Sequence, residues 1–220
     1  MIAGLGHDVV NVAQFAEQMR DGDGWRKLFS VRELRQCSLL AEAKHDDEAL
    51  HIAARWAGKE AVIKAWCEAL SGCNTDYPTE YPYTLDNMPW PEIEILDDSH
   101  GCPRVELAQE VQNKLYESVS RLVSRLVSQS VSQSVSQKHA QKVSEKLSPK
   151  LSDLTNTTNL TELAELIETS KIAEEPQLKD LPDSHRDICN AIRWHISLTH
   201  DGSVQNNTAV ASAVAILEIL

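Results

Sequence analysis

The chain has 220 residues, with 33 acidic against 21 basic side chains and a formal net charge of −12, and 42% of it is hydrophobic. That is enough for a real core in one ordinary domain carrying an excursion, or in two small ones. The acidity argues against nucleic-acid binding, which works through Lys and Arg neutralising phosphates, and no apolar run approaches a membrane span, so no membrane partner is expected and the chain is expected to stay in the cytoplasm.

Residues 2–7 are short, apolar and punctuated by Gly4 and Gly6, which predicts a strand delivering Asp8 at its end. Asn11 then offers an N-cap for a helix through about Met19. Arg26, Lys27, Arg32 and Arg35 face the single acid Glu33 in sequence, a local basic patch on an acidic protein. It reads either as a receiver of an acidic partner or as a solvated helix face. Ser30-Val31-Arg32-Glu33 has the form of a capping box and starts a second helix running to about Ala43.

The strongest helix is residues 48–70, where Leu50, Ala53, Ala54, Ala57, Ala61 and Ala65 supply an apolar side with no Pro before Ser71-Gly72. Glu60 and Lys64 lie one turn apart on it. They are either an i,i+4 pair worth roughly a few tenths of a kcal/mol or two members of a site. Residues 73–91, rich in Pro and Tyr, predict an irregular loop.

Residues 92–96 and 103–107 are strand-like and joined by turn chemistry, which predicts a hairpin. A second hairpin is expected from residues 193–199 and 208–217, with Asp201-Gly202-Ser203 in the turn region. Between the hairpins the composition changes. A four-residue repeat runs from Val119-Ser-Arg-Leu to Val135-Ser-Gln-Lys, and as a helix it aligns Leu115, Val119, Leu122, Val123, Leu126, Val127 and Val131. Pro149 breaks it, and Asn159-Leu-Thr-Glu162 opens another helical pattern. Residues 112–150 hold seven bases and two acids, residues 152–187 nine acids and three bases, so this low-complexity insert reads either as a helical hairpin or as a flexible arm.

The five cysteines, Cys37, Cys67, Cys73, Cys102 and Cys189, form no Cys-x-x-Cys pair and read as free thiols rather than as a zinc ribbon or a disulfide framework.

Three separated patches carry the chemistry: Gly4 to Val10, Gly58 to Trp66, and His195 to Gly202. Among the groups they bring are two carboxylates, Asp8 and Glu60, a lysine, Lys64, and a histidine, His200. Oxygen ligands of this kind suit Mg²⁺, which keeps several waters and shares a substrate's phosphate oxygens. The chain reads as a phosphate-transfer enzyme.

In their order and wording these patches resemble the holo-acyl-carrier-protein synthase group of 4′-phosphopantetheinyl transferases. The match rests on Gly6-His7-Asp8-Val9-Val10, on the helix Ala53-Ala54-Arg55-Trp56-Ala57-Gly58-Lys59-Glu60-Ala61-Val62-Ile63-Lys64-Ala65, on Ser197-Leu198-Thr199-His200, and on the intervening Glu92-Ile93-Glu94-Ile95 and Gly101-x-Pro103 hairpin. His7 and Asn11 depart from the usual Thr and acid of that family.

The resemblance covers residues 1–108 and 187–220, taken together as the core, and leaves 109–186 as the insert. It implies an α+β fold, a small antiparallel sheet packed on a long helix, and transfer of the 4′-phosphopantetheine arm of coenzyme A to a serine of acyl carrier protein in fatty acid biosynthesis, with release of adenosine 3′,5′-bisphosphate. Asp8 and Glu60 would hold Mg²⁺, Lys64 would place charge on the phosphate, and Glu60 would take the serine proton. Arg55, Lys59, Lys64 and His200 would contact the cofactor. Arg26, Lys27, Arg32 and Arg35 would receive the acidic carrier, and a homotrimer is implied. The rival expectation is a catalytically silent scaffold that acts through its Ser/Val/Gln-rich arm.

Overall fold

The computed structural model describes residues 1–71, 81–124 and 191–220. Apart from Ser124 at its edge, these form one compact unit drawn from Met1–Val123 and Ser184–Leu220. The expected repeat helix beyond 124, the break at Pro149, the helix from 159, Cys73, Cys189 and residues 73–80 of the expected loop lie outside the described residues.

Strand β1 (Ile2–Asn11) opens the chain and alternates buried with exposed side chains. It runs four residues beyond the expected strand, so Asp8 sits within it rather than at a strand-to-helix junction. The cause is long-range: β1 pairs with the last strand all the way to Asn11↔Val210. Asn11 then caps helix α1 (Val12–Asp21) as expected, its side chain accepting from the Gln14 N–H at 3.0 Å. A 3₁₀ turn over Asp23–Leu28 leads to helix α2 (Val31–Lys44). Both halves of the predicted capping box are formed: Ser30 Oγ accepts from Glu33 N–H at 3.1 Å and the Glu33 carboxylate accepts from Ser30 N–H at 2.9 Å.

Helix α3 (Glu48–Ser71) is buried on nearly every side through its middle, which explains why apolar residues crowd all round it. It lies across β1 at a distance only glycine permits. A Cβ on Gly6 would stand 1.9 Å from the Ala61 carbonyl oxygen, and one on Gly4 2.0 Å from that of Ala65. The two glycines at the start of the chain thus serve close strand–helix packing.

Strands β2 (Ile93–Asp97) and β3 (Pro103–Leu107) form the predicted hairpin in full antiparallel register. Asp98 closes its turn by accepting from the backbone N–H groups of His100 and Cys102. Residues 109–124 continue as helix α4, in the alignment expected for the start of the repeat. Val111, Leu115 and Val119 enter the same core as Trp66, Ile93 and Leu217, and the Trp66 indole N–H donates to Ser118 Oγ at 3.0 Å. The compact unit therefore reaches Val123, fifteen residues past the expected core boundary at 108.

Strands β4 (Ile192–Asp201) and β5 (Val210–Ile219) complete a three-stranded antiparallel sheet in the order β1-β5-β4. The last strand in sequence is thus the middle one in space. Ala211, Ala213 and Ala215 on β5 are buried small residues that pack the sheet against α3. The expectation of a small antiparallel sheet on a long helix is met.

Candidate functional site

Three of the expected site residues converge at one edge of the sheet. Asp8 projects from β1 on the same face as Gly4 and Gly6, and α3 places Glu60 and Lys64 against it. Lys64 Nζ donates to Asp8 Oδ1 at 2.7 Å and to the His7 carbonyl at 3.3 Å. Its distance to Glu60 is 4.0 Å. The question left open by the spacing is thereby answered: the short contact of Lys64 crosses to β1, and the i,i+4 pair is the loose one.

The arrangement holds more negative charge than it neutralises. Asp8 is nearly buried, and its Oδ2 has no hydrogen-bond partner. The Glu60 carboxyl is pushed up to about 7, first by burial and then by the negative charge of Asp8, against a smaller pull from Lys64. Two carboxylates competing for one ammonium, with a buried oxygen left over, form a set that a hard dication would complete. The donor chemistry suits Mg²⁺, and Asp8 and Glu60 are the residues that could hold it.

His200 stands elsewhere. Register places Asp8 opposite Ala213 and His200 opposite Ala211, on the two outer strands of the sheet, so about 10 Å of sheet separates them laterally. On α3 the neighbour of His200 is His51, nine positions before Glu60 and so about 13 Å along the axis. Burial lowers the His200 imidazole below its ordinary value, helped by His51 and Lys44. Sequence reasoning missed Lys44. It ends α2 with no motif around it, and only the tertiary corner brings it near His200.

Two residues expected at the cofactor, Lys59 and Arg55, lie inside the fold. Lys59 is fully buried, and its ammonium donates to the Trp90 carbonyl at 2.7 Å, to the Ile93 carbonyl and to Glu33 Oε2 at 2.8 Å. Those three acceptors use all three of its N–H groups, leaving none for a ligand. Glu33, the missing half of this pair, also accepts from Ile95 N–H at 3.0 Å. Burial pushes Glu33 up and Lys59 down, while each pulls the other back. Every neighbour of Glu33 is a donor, so the pair reads as ionised. Glu33 was visible in the sequence only as the capping-box acid and the lone acid of the basic patch.

Arg55 is also inside, donating to Asp97 Oδ2 at 2.6 Å and to Gln36 Oε1 at 3.2 Å, with its Nε left unpartnered. Its charge also reaches His200, whose titration it lowers.

The basic patch is partly spoken for. The Arg32 guanidinium forks between Glu94 and Glu106, each at 2.9 Å. Arg26 is 3.4 Å from Asp23 and lies over the Trp25 ring at 4.7 Å. Lys27 is exposed on the 3₁₀ turn. Arg35 lines an open cavity of about 370 Å³ together with Arg32, Gln36, Leu39, Asp97 and Arg104. Cys37 is buried, its thiol pushed up to about 12 chiefly by burial. Cys67 is half-buried and Cys102 exposed, and these three described cysteines are free thiols. None of the described helices is long and apolar enough to cross a membrane.

Comparison with known proteins gives a consistent picture. Residues 4–131 match the model of the 4′-phosphopantetheinyl transferase superfamily. A holo-[acyl-carrier-protein] synthase of Bifidobacterium adolescentis is 58% identical over 118 residues, covering 53% of this chain and 78% of that protein. One from Bifidobacterium animalis subsp. lactis has the same identity and coverage. Among solved structures, an apo-ACPS of Chronobacterium ammoniagenes superposes with a TM-score of 0.51 at 23% identity, covering 98% of this chain and 96% of that one. The ACPS-CoA complex from that source gives 0.50 at 22%, covering 99% and 97%. At those identities the structural likeness speaks for the fold.

Proposed function

The chain belongs to the 4′-phosphopantetheinyl transferase superfamily, and from that premise we propose that it is a holo-acyl-carrier-protein synthase, moving 4′-phosphopantetheine from coenzyme A to a serine of acyl carrier protein. The observation that carries this reading is the Asp8, Glu60 and Lys64 cluster with its surplus buried carboxylate oxygen. In the reaction the serine Oγ forms a bond to the phosphorus of the phosphopantetheine arm. The bond from that phosphorus to the bridging oxygen breaks, and adenosine 3′,5′-bisphosphate leaves with the electron pair.

The residues present suit such a displacement, in which positioning and charge neutralisation do most of the work. Asp8 and Glu60 would hold Mg²⁺, which would supply positive charge beside the diphosphate. Lys64, 52% exposed on its side chain and already oriented by Asp8, turns its remaining N–H toward the same oxygens. A Glu60 oxygen takes the serine proton, directly or through a water. The cluster of His200 and Lys44, with the charge of Arg55 behind it, takes a remote phosphate of coenzyme A. Arg35 and Arg32, with Arg26 and Lys27 nearby in sequence, receive the acidic carrier. The two acids on Arg32 must then yield to carrier carboxylates.

The enzyme works in the cytoplasm, in fatty acid synthesis, as a homotrimer. The outer face of the three-stranded sheet supports assembly, since Leu5 and Val9 are 52% and 57% exposed and Val210 and Val214 lie beside them. A site shared between copies accounts for the distance between His200 and the carboxylates. We assign the transferase core to residues 1–123 and 187–220, with the intervening segment as an insert.

The test is direct. Purified protein with Mg²⁺ and coenzyme A should add one phosphopantetheine mass to an apo carrier protein by intact mass spectrometry, and Asp8→Asn or Glu60→Gln should slow that gain by about 10²–10³-fold. An unchanged rate in both variants overturns the site.

A further inference from the structure

Behind His200, the corner between α2 and α3 carries two polar groups, Asp46 and His51, to which the transfer chemistry gives no role. Helix α2 ends at Lys44, and its cap His45 takes a left-handed conformation at φ 57°. The turn is then held by Asp46 N–H donating to the Ala41 carbonyl and by Asp47 Oδ1 accepting from Ala49 N–H. This fixes the backbone of Asp46 at the start of α3. Its Oδ1 lies 2.7 Å from Nε2 of His51, whose side chain is 4% exposed. A carboxylate can only accept, so Nε2 carries the proton of that bond.

The His51 ring in turn meets the His200 ring edge to face, with centroids 5.0 Å apart and planes at 83°. His200 reaches this point from the far strand, because β4 directs Leu198 and His200 to the α3 side. Leu198 is packed so closely there that a Cβ on Gly58 would touch it at 3.2 Å.

A buried imidazole bonded to a fixed carboxylate and set edge to face against a half-buried one is an arrangement that holds an orientation. We propose that Asp46 and His51 are positioning residues for His200, fixing its ring against α3 and setting its protonation, so that it meets its ligand in one orientation and one charge state. The charged and titratable groups acting on His200 are Lys44 and Asp46 at the corner and His51 and Arg55 on α3. Asp46 pulls its titration up, and the other three push it down. The functional half of this inference rests on the assignment of His200 to coenzyme A.

The experiment separates the two. In the full chain with ¹³C-labelled histidine, the His200 ring resonance, assigned by His200→Gln, is followed against pH without any substrate. Wild-type protein should titrate below an ordinary histidine. Asp46→Asn should lower the midpoint further and His51→Phe, which keeps an aromatic ring but loses the imidazole and its bond to Asp46, should raise it. Opposite shifts are a signature that loosened packing alone would not produce. Calorimetry with coenzyme A should then show three- to tenfold weaker binding in both variants, with the transfer rate at saturation changed less than twofold. A His200 midpoint unmoved in both folded variants overturns the proposal. Midpoints that shift while coenzyme A binding stays constant support the positioning pair and overturn only the assignment of His200 to that ligand. Should His51→Phe fail to fold, His51→Gln keeps a donor to Asp46, and its midpoint should rise in the same direction.

Discussion

Lys59 and Lys64 lie five residues apart on α3, and both meet carboxylates, yet the two sites are built to opposite ends. Around Lys59 nothing is left over: three acceptors take three N–H groups, and Glu33 is surrounded by donors. Around Lys64 two carboxylates share one half-exposed ammonium, and Asp8 Oδ2 is buried without a donor. A sealed pair ties elements together, here the start of α2, the middle of α3 and the first residues of β2. A pair with surplus charge is a binding site in waiting.

The strongest way to break the comparison is to open the sealed pair. Lys59→Met should destabilise the fold by about 3–5 kcal/mol in urea unfolding, because it strands Glu33 as a buried charge. Replacing Glu33 as well, by Leu, should recover much of that loss. A small effect from Lys59→Met alone would mean that Glu33 is neutral in the fold.

The open site should answer in rate rather than in stability. Asp8→Asn should reduce carrier modification by about 10²–10³-fold, the scale of removing one preorganised charge-stabilising group, while the melting temperature stays close to wild type or rises.

Its surplus charge should also be visible as pH dependence. Glu60 is raised from its ordinary 4.5 to about 7, so the fold favours its protonated form. The stability it contributes is full below about pH 4.5 and is lost as pH rises through about 7. With a third of its side chain exposed, solvent screening limits the loss to on the order of 1 kcal/mol. Urea midpoints measured in EDTA from pH 5 to pH 8 should fall, and the fall should flatten in Glu60→Gln. An equal slope in both proteins would remove the repulsion from Glu60.

The smallest effect concerns how far the sealed interior extends. Trp66→Phe leaves Ser118 without its indole donor and should cost about 1 kcal/mol. No change would separate α4 from the core.

What the sequence made legible was local. The capping box at Ser30, the Asn11 cap, the turn between β2 and β3 and the length of α3 follow from residues within a few positions of each other, and all appear where expected. The long-range facts stayed hidden. The α3 motif offers Arg55, Lys59, Glu60 and Lys64 on equal terms, and only the arrival of β2, with the Trp90 and Ile93 carbonyls, shows that Lys59 points inward. The extra length of β1 comes from its partner two hundred residues away. The separation of His200 from Asp8 is a matter of strand order, which no motif encodes.

Because β5 is central in the sheet though last in sequence, the fold closes by joining Gly4 to Leu217 and Asp8 to Ala213. Contacts of such separation are made late and slowly, but their entropic cost grows only with the logarithm of the chain between them, about 0.6 kcal/mol for each doubling of a flexible connection. A chain that has already accepted closure across its whole length is little troubled by a few dozen more residues between α4 and β4. The position of β5 therefore makes this enzyme a permissive host, in which the connection ahead of β4 can lengthen or shorten over generations while the carboxylates on β1 and α3 keep their places.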